Sequence, residues 1–208
     1  MSDMTEHKEL RVSNDAMNDA VELQRRIAEE GYLFFRRLQD PDKLRALRRE
    51  MMSAVQEAGW LIAGTDPSAG IADIDKQCTE GDRAYSDGYG RAYRLESFHR
   101  SAHWPEVMDM IEKIVGKPIM PHPQKVARIW FPQYTDHTTP THQDFVHFQG
   151  SFDTLTCWAP VGDCPVELGG LAVIPGSHKV DRVLDHHFSL GAGGLVVDET
   201  AHEEIDPV

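Results

Sequence analysis

The sequence has little of what nucleic-acid binders, membrane proteins and disulfide-rich proteins require. Its 21 lysines and arginines face 34 aspartates and glutamates, and the net charge of −13 would be repelled by nucleic-acid phosphates and anionic membranes. No apolar run approaches the roughly 20 residues that span a bilayer. The three cysteines form no paired framework, and residues 1–7 lack the basic, then apolar, layout of a signal peptide. We therefore expect a cytoplasmic protein with reduced thiols that binds neither nucleic acid nor membrane.

What the sequence does contain is typical of a globular domain. Of its 208 residues, 40% are hydrophobic and 26% are charged, and that length suffices for one domain with its own core. We expect a loose charged segment over residues 1–20 and a single domain over residues 21–208. Within that domain, residues 21–117 are predicted to be mainly helical and residues 118–208 mainly β.

Three helices carry clear start and stop signals. Each has a capping residue or a proline at its start, or a glycine just past its end, and apolar residues recur inside them at helical spacing. The predicted helices are Val21 to Glu30 before Gly31, the segment from Pro41 (with Asp40 as N-cap) to Gly59, and the segment from Pro105 to Gly116.

Residues 63–101 show no regular apolar periodicity. Glycine, aspartate, serine and tyrosine dominate this stretch, and Tyr85, Tyr89 and Tyr93 are interleaved with arginines. A stretch of this length without periodicity is either a functional loop or a solvated insertion. We predict a lid over a pocket, with substrate contacts between Tyr85 and Arg94, and keep the solvated insertion as the alternative.

The pattern changes after residue 118, where short apolar runs alternate with turn residues. The predicted strands are Lys125 to Phe131, Leu155 to Ala159, Leu171 to Ile174 and Leu195 to Val197. Helices first and evenly spaced strands later favour an antiparallel barrel or sandwich with helices packed outside it.

His142 and Asp144 are the best candidates for metal ligands. In an extended chain, residues two apart point to the same face, so this imidazole and this carboxylate would be presented together. They would supply two of the three ligands of the 2-His-1-carboxylate triad that binds non-haem Fe(II). A His-x-Asp tripeptide also arises by chance, with a structural histidine. A zinc hydrolase that adds His147 fails on strand geometry, which turns His147 to the opposite face, unless the segment is irregular.

Three segments around this pair follow one another in a recognisable order. Thr139-Pro-Thr-His-Gln-Asp144 leads into Leu155-Thr-Cys-Trp-Ala-Pro160, then Asp163, and then Glu167-Leu-Gly-Gly-Leu-Ala-Val-Ile-Pro-Gly-Ser-His178. In order and spacing they resemble the phytanoyl-CoA dioxygenase family, a branch of the Fe(II)/2-oxoglutarate oxygenases. The opening Gly31-Tyr-Leu-Phe-Phe35 is similar as well, so the resemblance covers residues 27–49 and 118–179.

The resemblance implies both a fold and an activity. The fold would be α+β or mainly β, a double-stranded β-helix (jelly-roll, cupin-like) buttressed by N-terminal helices. His142 and Asp144 would bind Fe(II), and the enzyme would use 2-oxoglutarate and O₂ to hydroxylate a small organic substrate. Halogenating relatives resemble this pattern with a small residue at the position of Asp144. Gln143 and Trp158 match positions that border the 2-oxoglutarate site, and Arg128 is either an anion-binding residue or a surface arginine.

The family pattern also calls for a third iron ligand, a late histidine followed by an arginine or lysine that binds 2-oxoglutarate. No segment after His178 shows this pattern. We therefore expect a chain that is truncated before its final strands. The alternative is a catalytically inactive relative that acts as a binding or structural module. A continuation of the reading frame that encodes Gly-Asp, His and Arg would favour the enzyme.

Overall fold

Helices dominate the first half of the chain, and irregular structure dominates the second. The computed structural model describes residues 8–132, 139–189, 194–202 and Ile205. Its α-helices are α1 (Ala20–Glu30), α2 (Pro41–Glu57), α3 (Arg83–Tyr93), α4 (Glu96–Ser101), α5 (Pro105–Val115), α6 (Phe145–Phe148) and α7 (Glu199–His202). Its strands are β1 (His186–Phe188) and β2 (Leu195–Val197). None of the described helices has the length and apolar character needed to cross a membrane.

The three helices predicted from capping signals are confirmed as α1, α2 and α5. At the start of α2, the Asp40 carboxylate accepts a hydrogen bond of 2.8 Å from the backbone N–H of Asp42. At the ends of α1 and α5, Gly31 and Gly116 adopt φ angles of 81° and 74°, which side chains other than glycine rarely tolerate. Local signals at the helix ends (the Asp40 cap, the prolines at helix starts and the glycines past helix ends) therefore predicted these helices correctly.

A first core cluster joins the N-terminal residues to α1 and α5. Leu23 is fully buried and packs with Ala16, Met110 and Ile114. Ser13 is also buried, and its N–H donates to the carbonyl of Phe34 at 2.7 Å. The part of the N-terminal segment from Ser13 to Ala16 is therefore packed rather than loose.

Residues 63–101 are not the irregular loop that the sequence predicts, because much of this stretch forms helices α3 and α4. Tyr85, Tyr89 and Tyr93 occur every four residues, so they lie on one face of α3 and stack with ring centroids 5.7 to 5.8 Å apart. Trp60 extends the stack beyond Tyr85 at 5.6 Å and packs against Phe131 at 5.4 Å. These tyrosines therefore pack against α2 and its neighbours rather than lying in a loop.

Gly88 allows this stack to form, because a Cβ atom there would lie less than 3 Å from three ring atoms of Trp60. We expect Gly88→Ala to lower the free energy of unfolding by about 1–3 kcal/mol through overpacking. Gly90 is the matched control: it lies in the same helix, where a Cβ would meet nothing closer than Arg94 at 3.9 Å. Gly90→Ala should leave stability unchanged or raise it by up to about 1 kcal/mol. Urea denaturation compares the two variants, and equal stabilities would contradict the packing.

Of the four strands predicted after residue 118, one is a strand in the structure. Leu195–Val197 is a strand, paired antiparallel with β1 so that His186 faces Val197. The other three predicted strands are irregular among the described residues. Strands need a partner for their backbone hydrogen bonds, and apolar runs alone do not supply one. Within the described residues, the double-stranded β-helix is thus not present, and apolar side chains remain exposed at Trp130, Leu155, Trp158 and Leu171.

The Pro-Gly-Ser-His turn packs against the C-terminal end of α1. The Gly176 N–H donates to the carbonyl of Glu30 at 2.9 Å, and His178 Nε2 donates to that of Ala28 at 3.1 Å. These two carbonyls lie in the last turn of α1, where the helix itself offers no partner. The His178 ring lies against Gly31, where a Cβ would collide with it. His178 therefore has a structural role, and the Pro-Gly-Ser-His turn and the end of α1, which are distant in sequence, meet here.

Candidate metal site

His142 and Asp144 lie side by side just before α6. His142 Nε2 is 3.2 Å from Asp144 Oδ1, and both side chains are half-buried. Two cis ligands, each roughly 2.1 Å from one ion, lie about 3 Å apart, so the separation suits a shared metal. The segment is not a strand, however: Asp144 has helical dihedral angles and precedes the short helix α6. A turn, rather than the alternation of a strand, brings the two groups together.

Two neighbouring groups orient the pair. His142 Nδ1 donates to the carbonyl of Pro140 at 2.8 Å, which keeps a proton on Nδ1 and turns Nε2 towards Asp144. The hydroxyl of Thr156 donates to the Asp144 carboxylate. Histidines that bind metals commonly donate their other ring N–H to a carbonyl in this way, because the bond sets both the tautomer and the ring orientation.

The two groups shift each other's pKa in opposite directions. The hydrogen bond to Asp144 raises the pKa of His142 above its usual 6.5, although burial opposes this shift. The same bond lowers the pKa of Asp144 below its usual 3.8, again against burial. Without metal, the pair is therefore an imidazolium and a carboxylate at mildly acidic pH. A metal ion would have to displace the proton on Nε2, so its affinity should rise as the pH rises through the pKa of His142.

We expect NMR titration of the metal-free protein to give His142 a pKa above 6.5. Asp144→Asn should lower the pKa of His142, because it removes the carboxylate that raises this pKa while burial continues to lower it. The raised histidine pKa stabilises the fold below 6.5 and the lowered aspartate pKa stabilises it above 3.8. The ion pair should therefore contribute to stability mainly between these values and lose its effect on either side. If the pKa of His142 were the same in Asp144→Asn as in the wild-type protein, the two groups would not be coupled.

His147 lies closer to the pair than strand geometry predicted. Because α6 turns the chain, the ring centroids of His142 and His147 are 5.5 Å apart. His147 Nε2 is buried without a hydrogen-bond partner in the described part of the chain. Burial lowers the pKa of His147, and the nearby charge of His142 adds to that shift. The segment is not a strand, so strand geometry does not exclude His147, yet no described set of three His, Cys, Asp or Glu side chains is arranged to hold one metal.

The other predicted site residues are less closely grouped. The Gln143 amide bonds the backbone of residues 182–184. Trp158 is 42% exposed in an irregular segment. Arg128 is half-buried and makes no ion pair with any described carboxylate. Its positive charge reaches the site, since it acts to lower the pKa of His142 against the stronger effect of Asp144.

Three residues of the site were not predicted from the sequence. Pro140 and Thr156 orient the two candidate ligands, and His186 accepts a hydrogen bond from the backbone N–H of Gln143 at 3.2 Å. Pro140 acts through its carbonyl, and Thr156 and His186 are distant in sequence, so no local pattern marks them. Only the adjacency of His186 and His187 could have drawn attention to this part of the chain.

Comparison with known proteins agrees with the motif. A family model, phytanoyl-CoA dioxygenase (PhyH), matches residues 27–194. Two curated relatives are named 1-deoxypentalenic acid 11-beta-hydroxylase. The one from Streptomyces arenae is 23% identical over 83% of this chain and 60% of its own length. The one from Streptomyces exfoliatus is 24% identical over 78% of this chain and 56% of its own length.

The match to most of the chain defines its class. The chain belongs to the phytanoyl-CoA dioxygenase family, which confirms the resemblance seen in the motif. This family has a cupin-type jelly-roll fold. The chain spans about 60% of the length of the curated relatives, which are hydroxylases by name.

Proposed function

We propose that this protein is a non-haem Fe(II)- and 2-oxoglutarate-dependent dioxygenase that hydroxylates a small organic substrate. The observation that carries the proposal is the 3.2 Å separation of His142 Nε2 and Asp144 Oδ1, in a segment that matches the family. When bound, Fe(II) would supply the activation of O₂, with 2-oxoglutarate as the co-substrate.

The chain's own residues would hold and orient the metal. His142 Nε2 and Asp144 Oδ1 would occupy two adjacent coordination positions, and the carboxylate would offset part of the metal's charge. The bond from Nδ1 to the Pro140 carbonyl leaves the Nε2 lone pair for the metal once its proton has left. Thr156 would hold Asp144 in place by its hydroxyl. The proposal names these two protein ligands, because the described residues hold no set of three.

Arg128 is the residue we propose for binding an anion. It is half-buried and has no carboxylate partner among the described residues, and a buried guanidinium gains most from a bidentate carboxylate. Both 2-oxoglutarate and an organic acid carry such a group, and the curated relatives are named for an acid. Gln143 and Trp158 are proposed to border the 2-oxoglutarate site.

Turnover of 2-oxoglutarate tests the proposal directly. We expect the protein to convert added 2-oxoglutarate to succinate in the presence of Fe(II) and O₂, and to form little succinate when Fe(II) is left out. His142→Ala should abolish the signal, whereas His103→Ala, which changes an exposed histidine, should retain it. Succinate release that is the same with and without Fe(II) would overturn the proposal.

The alternative is a family relative that binds ligands without turnover. The two-ligand set in the described residues favours it, because a metal held by two side chains binds more weakly than one held by three. This alternative predicts 2-oxoglutarate binding without succinate release.

A further inference from the structure

We infer that His186 is a positioning residue that holds the backbone between the two metal ligands in place. This inference rests on the proposed function, since it assumes that His142 and Asp144 bind a metal. His186 does not contact the metal in this arrangement; it acts through Gln143, the residue between the ligands.

Both nitrogens of the His186 ring are used. Nδ1 lies 2.7 Å from the carbonyl of Leu184, and a carbonyl only accepts, so Nδ1 carries a proton. The backbone N–H of Gln143 donates to Nε2 at 3.2 Å, so Nε2 is the unprotonated nitrogen. The two bonds set the tautomer and the plane of the ring. The neutral ring thereby acts as a bridge between β1 and the ligand segment.

Three further hydrogen bonds join the same two parts of the chain. The Gln143 side chain donates from Nε2 to the carbonyl of Arg182 at 3.1 Å and accepts at Oε1 from the N–H of Leu184 at 2.8 Å. The Val197 N–H donates to the carbonyl of Thr141 at 2.9 Å. We call residues 182–188 together with 195–197 the latch.

The latch is itself anchored in a small core. Leu184 and Val197 are each 3% exposed and pack with Ala201 and Ile205. A bond from the latch therefore ties the ligand segment to packed residues rather than to a free loop. Peptide 142–143 then has few orientations open to it, and that restricts where the flanking side chains of His142 and Asp144 can point.

A metal site tolerates displacements of only about 0.5 Å, so this restriction should matter for affinity. Loss of residues that orient metal ligands typically weakens metal binding about 10- to 100-fold. His186 has a matched neighbour for comparison. His187 is on the same strand with its side chain on the other face, where Nδ1 bonds the Asp198 carboxylate at 2.6 Å.

The experiment measures the affinity of the protein for Mn(II), a divalent ion that does not oxidise in air, from the EPR signal of the free ion. We expect His186→Ala to weaken Mn(II) binding about 10-fold and His187→Ala to leave it unchanged. His186→Gln restores an acceptor near the position of Nε2 and should recover part of the loss. Hydrogen exchange of the Gln143 amide should be faster in His186→Ala and slower again in His186→Gln.

The outcomes separate the inference from the proposed function. Wild-type affinity in His186→Ala, or an equal loss in His187→Ala, would overturn the positioning role while the metal site stands. If His142→Ala binds Mn(II) as tightly as the wild-type protein does, the proposed function is overturned, and this inference with it. If His186→Ala does not fold, His186→Gln decides, because the inference requires Mn(II) affinity to follow the protection of the Gln143 amide. Affinity and protection that are both retained, or both reduced, support the positioning role. Full Mn(II) affinity together with fast exchange of the Gln143 amide, or lost affinity with wild-type exchange, overturns it.

Discussion

Asp144→Ala is expected to abolish Fe(II)-dependent succinate release and to reduce metal affinity by about 100-fold or more, since even residues that only orient metal ligands contribute about 10- to 100-fold. The substitution removes one of two local ligands and its charge, and it leaves the imidazole without the group that holds Nε2 in place. The carboxylate is the anionic member of the 2-His-1-carboxylate site, so the substitution removes the negative charge that the proposed ligands bring to the metal. Metal content after dialysis against Fe(II), together with succinate formation, measures both effects.

Two further variants sharpen this expectation. Asp144→Glu keeps the charge but moves it by one methylene, and a facial site tolerates little displacement, so activity should remain strongly impaired. Asp163→Ala changes an exposed aspartate and serves as the control, with wild-type metal content and turnover. Full iron and wild-type succinate production in Asp144→Ala would remove Asp144 from the ligand set.

Trp60→Ala is expected to lower the free energy of unfolding by about 3–5 kcal/mol. The indole is 3% exposed and packs between Tyr85 and Phe131, so its removal opens a cavity at the end of the aromatic stack. That loss is a large share of the roughly 5–15 kcal/mol that stabilises a typical domain. Thermal and urea unfolding, followed by far-UV circular dichroism, measure the change.

The matched control is Trp130→Ala, which removes an indole that is 44% exposed. Its loss should cost under about 1 kcal/mol, because exposed side chains away from packed features contribute little. Equal destabilisation by the two substitutions would show that the stack around Trp60 is not a core of the protein.

The sequence predicted the helices best where the local chemistry is strong. Asp40, Pro41 and Gly31 act within one turn of the helix ends they define, so their effect does not depend on the rest of the fold. The same holds for Pro105 and Gly116 of α5.

Helix α3 was missed because its composition hides it. Glycines at positions 88 and 90 lower helix propensity and obscure the four-residue spacing of Tyr85, Tyr89 and Tyr93. The gain that offsets the glycines is the stack against Trp60, which lies more than twenty residues away. Tertiary packing therefore stabilises the helical conformation of this segment. A prediction from the local sequence does not include that packing, because Trp60 lies outside the segment.

The candidate site was predictable in its residues but not in its geometry. His142 and Asp144 lie together as the motif predicts, yet a turn into α6 rather than a strand brings them together. Strand alternation also predicts that His147 faces away from His142, whereas the ring centroids of the two histidines are 5.5 Å apart. His186 lies over forty residues from its partner Gln143, so its contact follows from the fold alone.

The measurement that tests the central claim most directly maps where Mn(II) binds on the wild-type protein. Paramagnetic broadening of NMR signals falls off steeply with distance from the ion, so it locates even a weak site. The account predicts that the signals of His142, Gln143 and Asp144 broaden first. It also predicts that those of His103 and Asp163, which are exposed, remain sharp at the same Mn(II) concentration. Broadening that starts elsewhere and spares His142 and Asp144 would contradict a metal site at this pair.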